Sequence, residues 1–399
     1  MVSQVLEVDA QSAQIFQVEV ESWAAQLEDV HTRIAHRFAR AEPRQRVLAY
    51  LKGLLSNCQR KNGWQMAELM GEMTPDGMQR LLSSAKWDAN GVRDDLQSYI
   101  VKNLGDSSSA IGVLDETGFL KQGNKSVGVK RQYSGTAGRV ENCQIGVFLG
   151  YTTAKGFAFL DREIYLPKEW VTDQQCREAA GVPESVEFAT KPQIAQMMLE
   201  RARAAGVDLA WVTADTVYGN DRRLREWLEE NEQAYVLAVA CSERVWIDGP
   251  TGSVQVPVEQ VIAELPAETW QRLSCGQGSK RPREYDWVWI QLVSEQHKSW
   301  GRWLLARRSL SEEPQLAYFM VFAPSSTSTP EAVRVAGARW SIEMGFEITK
   351  NELGLDHYEV RSWQAWYRHV TLVLLAHAVL SVIRSQTLVT RDQKGAVTN

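Results

Sequence analysis

Between residues 110 and 240 short apolar runs alternate with helical stretches, and that alternation restricts the chain to an α/β core. Ala110 to Leu114 reads as a short strand, and Asn142 to Tyr151 with Phe157 to Leu166 as a hairpin turned by T-T-A-K-G. A helix over Ile194 to Ala205, a strand over Leu209 to Thr213, a helix over Asp221 to Glu230 and a strand over Ala234 to Ala240 follow. Two strands are each followed by an aspartate, Asp115 in I-G-V-L-D-E-T-G and Asp215 in L-A-W-V-T-A-D-T-V-Y-G. Strand ends of such sheets are where sites are assembled.

Well downstream, R-W-S-I-E-M-G-F-E-I-T-K places Arg339, Glu343, Glu347 and Lys350 at i, i+4, i+8 and i+11, on one helical face. The plain reading is a helix with solvated i,i+4 ion pairs. The order Asp, Asp, Glu also suits two-metal phosphodiester chemistry, with Arg339 and Lys350 at hand for nucleic-acid phosphates. Such chemistry needs at least three converging carboxylates, and oxygen ligation suits Mg2+ or Mn2+. Asp115, Asp215 and Glu343 are the candidate metal ligands and catalytic carboxylates. Glu116 is expected on the opposite face of its strand, Asp221 reads as a helix start, and Glu347 is the rival to Glu343.

Residues 12 to about 103 read as mostly helical, and residues 1–105 form an N-terminal DNA-binding domain on this reading. Arg33, Arg37 and Arg40 fall at helical spacing, and Pro43 is expected to end their segment. Thr74 as N-cap and Pro75 at the first helical position open the second of two short helices joined at Gly71-Glu72-Met73, a helix-turn-helix candidate. From Arg33 to Lys61 there are eight Lys/Arg and one acid, and from Lys121 to Arg139 five Lys/Arg and none. Lys121, Lys125, Lys130 and Arg131 are therefore candidates to line a DNA groove, as Arg33, Arg37 and Arg40 are for a phosphate stripe; a solvated surface is the plain alternative. Residues 108–240 begin the core. Aromatic bursts at Y-D-W-V-W and W-G-R-W mark residues 241–329 as a β-rich insertion, helices over 330–385 complete the core, and 386–399 reads as a tail.

A net charge of −5 means that any DNA contact rests on local basic patches. The five cysteines stand singly, which excludes a C-x-x-C zinc site and a disulfide framework and fits a cytoplasmic protein. The N-terminus lacks a signal peptide's basic and apolar regions. Val370 to Ile383 is apolar but short for a bilayer and interrupted by His377, so it reads as a buried helix and no membrane is expected.

The segments L-D-E-T-G, V-T-A-D-T-V-Y-G and R-W-S-I-E-M-G-F-E-I-T-K-N-E-L-G-L-D-H-Y-E-V-R resemble the DDE transposases of bacterial insertion sequences, closest to the subgroup with the signature Y-x2-R-x3-E-x6-K. Arg339, Glu343 and Lys350 fit its spacing, whereas the tyrosine position holds Ala336. The resemblance covers most of the chain. It implies a ribonuclease-H-like α/β core with a β-rich insertion and an N-terminal all-helical domain. It also implies Asp115, Asp215 and Glu343 as the carboxylates, Mg2+ with Mn2+ able to substitute, and phosphate contacts from Arg339 and Lys350. Partners implied are double-stranded DNA, at element ends and target, and a second copy in a homodimer on DNA. Relatives stack a flipped base on an insertion-domain tryptophan, which makes Trp287, Trp289, Trp300 and Trp303 candidates; the alternative is that they fill a β core. The expected activity is cutting and joining of element ends. The alternatives are a domesticated DNA-binding protein, a metal-dependent nuclease on the same fold without transposition, and a carboxylate-pair glycosidase, which would not need the basic segments.

Overall fold

The computed structural model describes residues 21–249, 252–278, 281–293 and 299–397, and the chain divides into two compact units. Residues 12–20 of the expected helical region and the last two of the tail lie outside the described residues.

The helical unit combines residues 21–104 with Thr349–Val360 and 364–397. It holds α1 (21–34), a 3-10 turn (Ala35–Arg37), α2 (Ala41–Leu54), α3 (Gly63–Leu69), α4 (Asp76–Ser83) and α5 (Ala89–Leu104). Its core is Val47, Tyr50, Leu51, Met66, Met78, Leu81, Leu96 and Ile100 with the C-terminal helix (Trp363–Val397), from which Val370, Leu374 and Ala378 are fully buried. That helix is longer than the expected 330–385 segment allowed, continues through the expected tail, and joins the N-terminal helices instead of the sheet. The polar groups it buries explain why. Arg368 donates to the backbone carbonyls of Leu82, Ala85 and Trp87, and His369 shares a 2.8 Å hydrogen bond with the Tyr50 hydroxyl. Trp363–Leu388 is long and apolar enough to cross a membrane, but such partners make it a core helix.

Two local expectations change here. Pro43 lies in the first turn of α2 instead of ending a helix, a position where its missing N–H removes no hydrogen bond. Pro75 itself is the N-cap residue of α4, and Thr74 lies outside the helix.

The second unit, Gly105–Ile348 with Arg361–Trp363, is built on one large sheet. Its elements run β1 (Ile111–Leu120), β2 (Lys130–Ser134), β3 (Arg139–Thr153), β4 (Gly156–Tyr165), α6 (Lys168–Thr172), α7 (Gln174–Ala180) and α8 (Lys191–Ala204). They continue with β5 (Trp211–Ala214), α9 (Thr216–Gly219), α10 (Arg222–Glu230), β6 (Tyr235–Val239), the separate hairpin β7 (Arg244–Gly249) and β8 (Gly252–Pro257), and α11 (Val258–Ala263). Then come β9 (Gln271–Gln277), β10 (Pro282–Gln291), β11 (Trp300–Arg308), β12 (Leu316–Pro324), α12 (Thr329–Ala338) and α13 (Trp340–Asn351), whose last residues belong to the helical unit.

Strands β4, β3 and β1 form an antiparallel arm, and β5 and β6 continue it in parallel from β1. Helix α8 packs on β3 and β4, and α12 on β5 and β6. This is a ribonuclease-H-like core. Strand β12 pairs antiparallel with β6, and β11, β10 and β9 follow, so most of the expected insertion extends the core sheet. Without β12, β6 would present an open row of backbone donors and acceptors.

The tryptophan bursts serve that extension. Trp287 is fully buried, its indole N–H donating to Leu273 O at 3.2 Å. Trp303 is buried and stacks on Trp289 with 5.0 Å between centroids, and Trp300 stacks on Phe322 at 4.7 Å. Trp287 and Trp303 therefore have no face open to a base; they fill the core because alternate side chains of these strands point inward.

Candidate active site

The geometry starts from strand register. Leu114 and Ala214 form the last pair of the parallel β1–β5 ladder, so Asp115 and Asp215 follow side by side on neighbouring strands. Strand β1 runs on to Leu120, which places Asp115 mid-strand, at the point where its partner ends. Asp215 leaves the sheet as the N-cap of α9 and accepts the Val217 N–H at 2.9 Å. The Asp115 carboxylate accepts the Glu116 N–H at 2.8 Å.

Helix α13 lies over the same face. Asp115 stands opposite Phe148 of β3, and opposite residues of antiparallel strands project to one side. Phe346 of α13 meets Phe148 edge-on with 5.3 Å between centroids and Phe159 at 5.2 Å. Gly345 permits this approach, since a Cβ there would stand 2.3 Å from the Phe157 ring. The helical region expected from residue 330 breaks at Arg339, the C-cap of α12. From there its guanidinium reaches Asp115 Oδ2 at 3.3 Å and Glu343 Oε1 at 2.6 Å. Arg339 thus links the first aspartate to Glu343; Glu343 and Glu347 are both exposed, and the contact with Arg339 is what sets Glu343 apart.

Burial pushes the Asp115 carboxyl up to about 7, with the Asp215 charge adding to the shift and Arg339 opposing it. Asp215 is also raised, first by burial and then by the Glu116 charge. Glu116 belongs to the opposite face, as expected. Its carboxylate accepts from Lys191 Nζ at 2.6 Å and from the Tyr218 hydroxyl at 2.7 Å.

Two half-buried carboxylates side by side, both with raised proton affinity and Asp115 raised in part by the Asp215 charge, form a donor set for a hard divalent cation, so the residues fit such an ion. Among the described residues no group of three His, Cys, Asp or Glu side chains is gathered around one point. Asp115 and Asp215 form the pair, and Glu343 reaches it through Arg339.

The remaining candidates lie apart from this pair or are differently engaged. Arg33 pairs with Asp29 at 2.7 Å, and Arg37 makes a two-pronged contact with Asp95 at 2.8 Å. Arg40 is exposed and is the N-cap residue of α2, so the three arginines share no helix. Lys125 and Arg131 are exposed, Lys121 is half-buried, and Lys130 pairs with Glu169 at 2.5 Å. Lys350, in the last turn of α13, belongs to the helical unit, where burial lowers its amine and Asp356 opposes the shift. Lys191 and Tyr218 escaped the sequence reading. Tyr218 follows Asp215 by three residues and had a signal; nothing in sequence spacing ties Lys191 to Glu116.

Comparison with known proteins decides the family. The model of the DDE superfamily endonucleases matches residues 33–287, which contain both aspartates and stop before Glu343. The chain belongs to the DDE superfamily endonucleases. It is also 25% identical over 317 residues to the probable transposase for insertion sequence element IS701 of Microchaete diplosiphon, covering 77% of this chain and 75% of that protein. DDE superfamily endonucleases act on DNA and use divalent metal ions, which agrees with the character of the Asp115–Asp215 pair.

Proposed function

We propose that this DDE superfamily endonuclease is an insertion-sequence transposase that cuts and rejoins element ends by two-metal phosphoryl transfer. The observation that carries this reading is the register that sets Asp115 beside Asp215, with Arg339 linking Asp115 to Glu343. The three carboxylates are assigned as the ligands, with Mg2+ as the resident ion and Mn2+ as its substitute. When bound, the ions supply an activated water or 3′-hydroxyl and stabilise the leaving oxygen.

The chain's own residues account for the rest. Partial burial of Asp115 and Asp215 lowers the local dielectric and strengthens the charge interactions at the pair. The planar guanidinium of Arg339, a third exposed, suits a terminal phosphate as well as the carboxylates it touches. Lys350 is assigned a phosphate contact on the same helix, supported by its place in the R-E-K spacing. Arg40, Lys125 and Arg131 are exposed cations suited to the duplex. Trp246 and Trp340 are the more exposed tryptophans of the sheet unit, 52% and 39%, and replace Trp287 and Trp303 as stacking candidates; Trp289 and Trp300 retain partly open faces. Two ends brought together imply a homodimer on DNA.

The test is nicking of an element-end duplex by the full chain with Mg2+, Mn2+ or chelator. Metal-dependent cleavage at the element boundary, lost in Asp115→Asn, supports the reading. Specific end binding without cleavage would identify a domesticated DNA-binding protein, and cleavage without strand joining a nuclease.

A further inference from the structure

Behind the aspartate pair lies a second polar cluster that the phosphoryl-transfer chemistry does not use. Glu116, adjoining Asp115 in β1, projects to the other side of the sheet and is only 17% exposed. One carboxylate oxygen takes the Lys191 ammonium at 2.6 Å and the other takes the Tyr218 hydroxyl at 2.7 Å. Each partner sits on an element that matters to the site. Lys191 is the first residue of α8, an end fixed by the Thr190–Gln193 capping box. Tyr218 lies within α9, the single turn that Asp215 caps, and is fully buried. Helix α9 is itself pressed against β6, since a Cβ on Gly219 would stand 1.8 Å from Ala238 O.

We infer that Glu116 is a positioning residue, a bracket whose two oxygens bind α8 and α9 to β1 and so fix the separation of Asp115 and Asp215. This inference rests on the assignment of those aspartates as metal ligands. Beyond the pairing of Leu114 with Ala214 the β1–β5 ladder has ended, so backbone hydrogen bonds no longer hold the two aspartates in register. The Tyr218–Glu116 bond crosses the same gap from the back. A charged acceptor paired with a buried hydroxyl and an ammonium is a strong, directional tie. Supporting bonds of this kind around metal ligands are worth about 10- to 100-fold in metal affinity or activity.

The experiment uses the full chain and Mn2+ alone as probe, in two measurements: Mn2+ binding without DNA by calorimetry, and cleavage of an end duplex as a function of Mn2+ concentration. Glu116→Gln should weaken Mn2+ binding by about 10-fold or more and raise the Mn2+ needed for half-maximal cleavage in parallel, with most of the rate recovered at saturating Mn2+. Lys191→Met and Tyr218→Phe should each shift both readouts in the same direction. The double variant Glu116→Gln with Lys191→Met should be no worse than Glu116→Gln alone. These milder variants keep the test open if Glu116→Gln folds poorly. Unchanged Mn2+ binding in all three single variants overturns the bracket. So does loss of cleavage at every Mn2+ concentration with binding intact, which would place Glu116 among the reacting groups. Asp115→Asn runs alongside: if it still cuts, the assignment of the aspartates fails first, and the bracket with it.

Discussion

At the scale of single residues, the Asp115 carboxyl carries the largest consequence. Its proton affinity is raised in the folded chain to about 7, against an ordinary value of 3.8. Below the unfolded value both states are protonated and the site costs nothing. As pH rises toward 7 the unfolded chain ionises first, so the metal-free fold progressively loses stability, with a ceiling of about 4 kcal/mol. Asp115→Asn keeps an acceptor for the Glu116 N–H and removes the charge. The metal-free variant should therefore melt higher than the natural chain at pH 7 to 8 and nearly level with it at pH 4. A thermal melt series across that range checks this, and a gap that is constant with pH contradicts it. Asp115→Asn, Asp215→Asn and Glu343→Gln should each abolish strand cleavage while leaving end binding in place. Normal cutting by Glu343→Gln beside a dead Glu347→Gln would transfer the role one turn along α13. That the two aspartates lie side by side was partly legible, because Asp215 follows a recognisable strand and Asp115 follows the apolar run Ala110 to Leu114, although β1 continues past it. The sequence did not carry the Arg339 contact to Asp115, which depends on the break between α12 and α13 and on a fold bringing residues 224 positions apart together.

At the scale of elements, α13 is held over the sheet by close packing. Gly345 sits where any side chain would run into the Phe157 and Phe159 rings. Gly345→Ala should cost about 1–3 kcal/mol by overpacking, despite the better helix propensity of alanine. Because the same turn carries Glu343, cleavage should fall by more than stability alone explains. Urea unfolding at several temperatures, paired with cleavage under conditions where the variant is fully folded, separates the two effects. Unchanged stability and activity would show that the helix does not need this approach. The β-hairpin, α8, β5, α10 and β6 were legible because their apolar periodicity is clean. The strands of 271–324 were legible as β but not as an extension of the core. Nothing in the alternation at Tyr285 to Trp289 says which sheet it will extend; that follows from β12, which pairs with the open edge of β6 through Val321 and Phe322, and on which β11 and then β10 are laid.

At the scale of the whole molecule, the helical unit is discontinuous in sequence, and this changes how DNA recognition is tested. A fragment ending near residue 104 carries α1 to α5 but lacks the C-terminal helix, hence the carbonyl clamp of Arg368 and the His369 partner of Tyr50. Sequence periodicity could not show this, because a helix with apolar residues on most of its faces fits any core that surrounds it. A full chain truncated before Trp363 should lose the helical unit first, since Tyr50 and the backbone carbonyls of Leu82, Ala85 and Trp87 would be left buried without partners. Proteolysis should then cut within residues 21–104 while the sheet unit resists. End binding is best tested in the intact chain, at the exposed side chains of α4. Gln79→Ala with Arg80→Ala should reduce the preference for end over scrambled duplex, because discrimination needs side chains that reach base edges. Arg40→Ala should instead weaken binding to both duplexes equally and reduce the salt dependence by about one contact. Equal loss on both duplexes from the α4 pair would remove sequence reading from α4 and leave the helical unit a phosphate-binding role only.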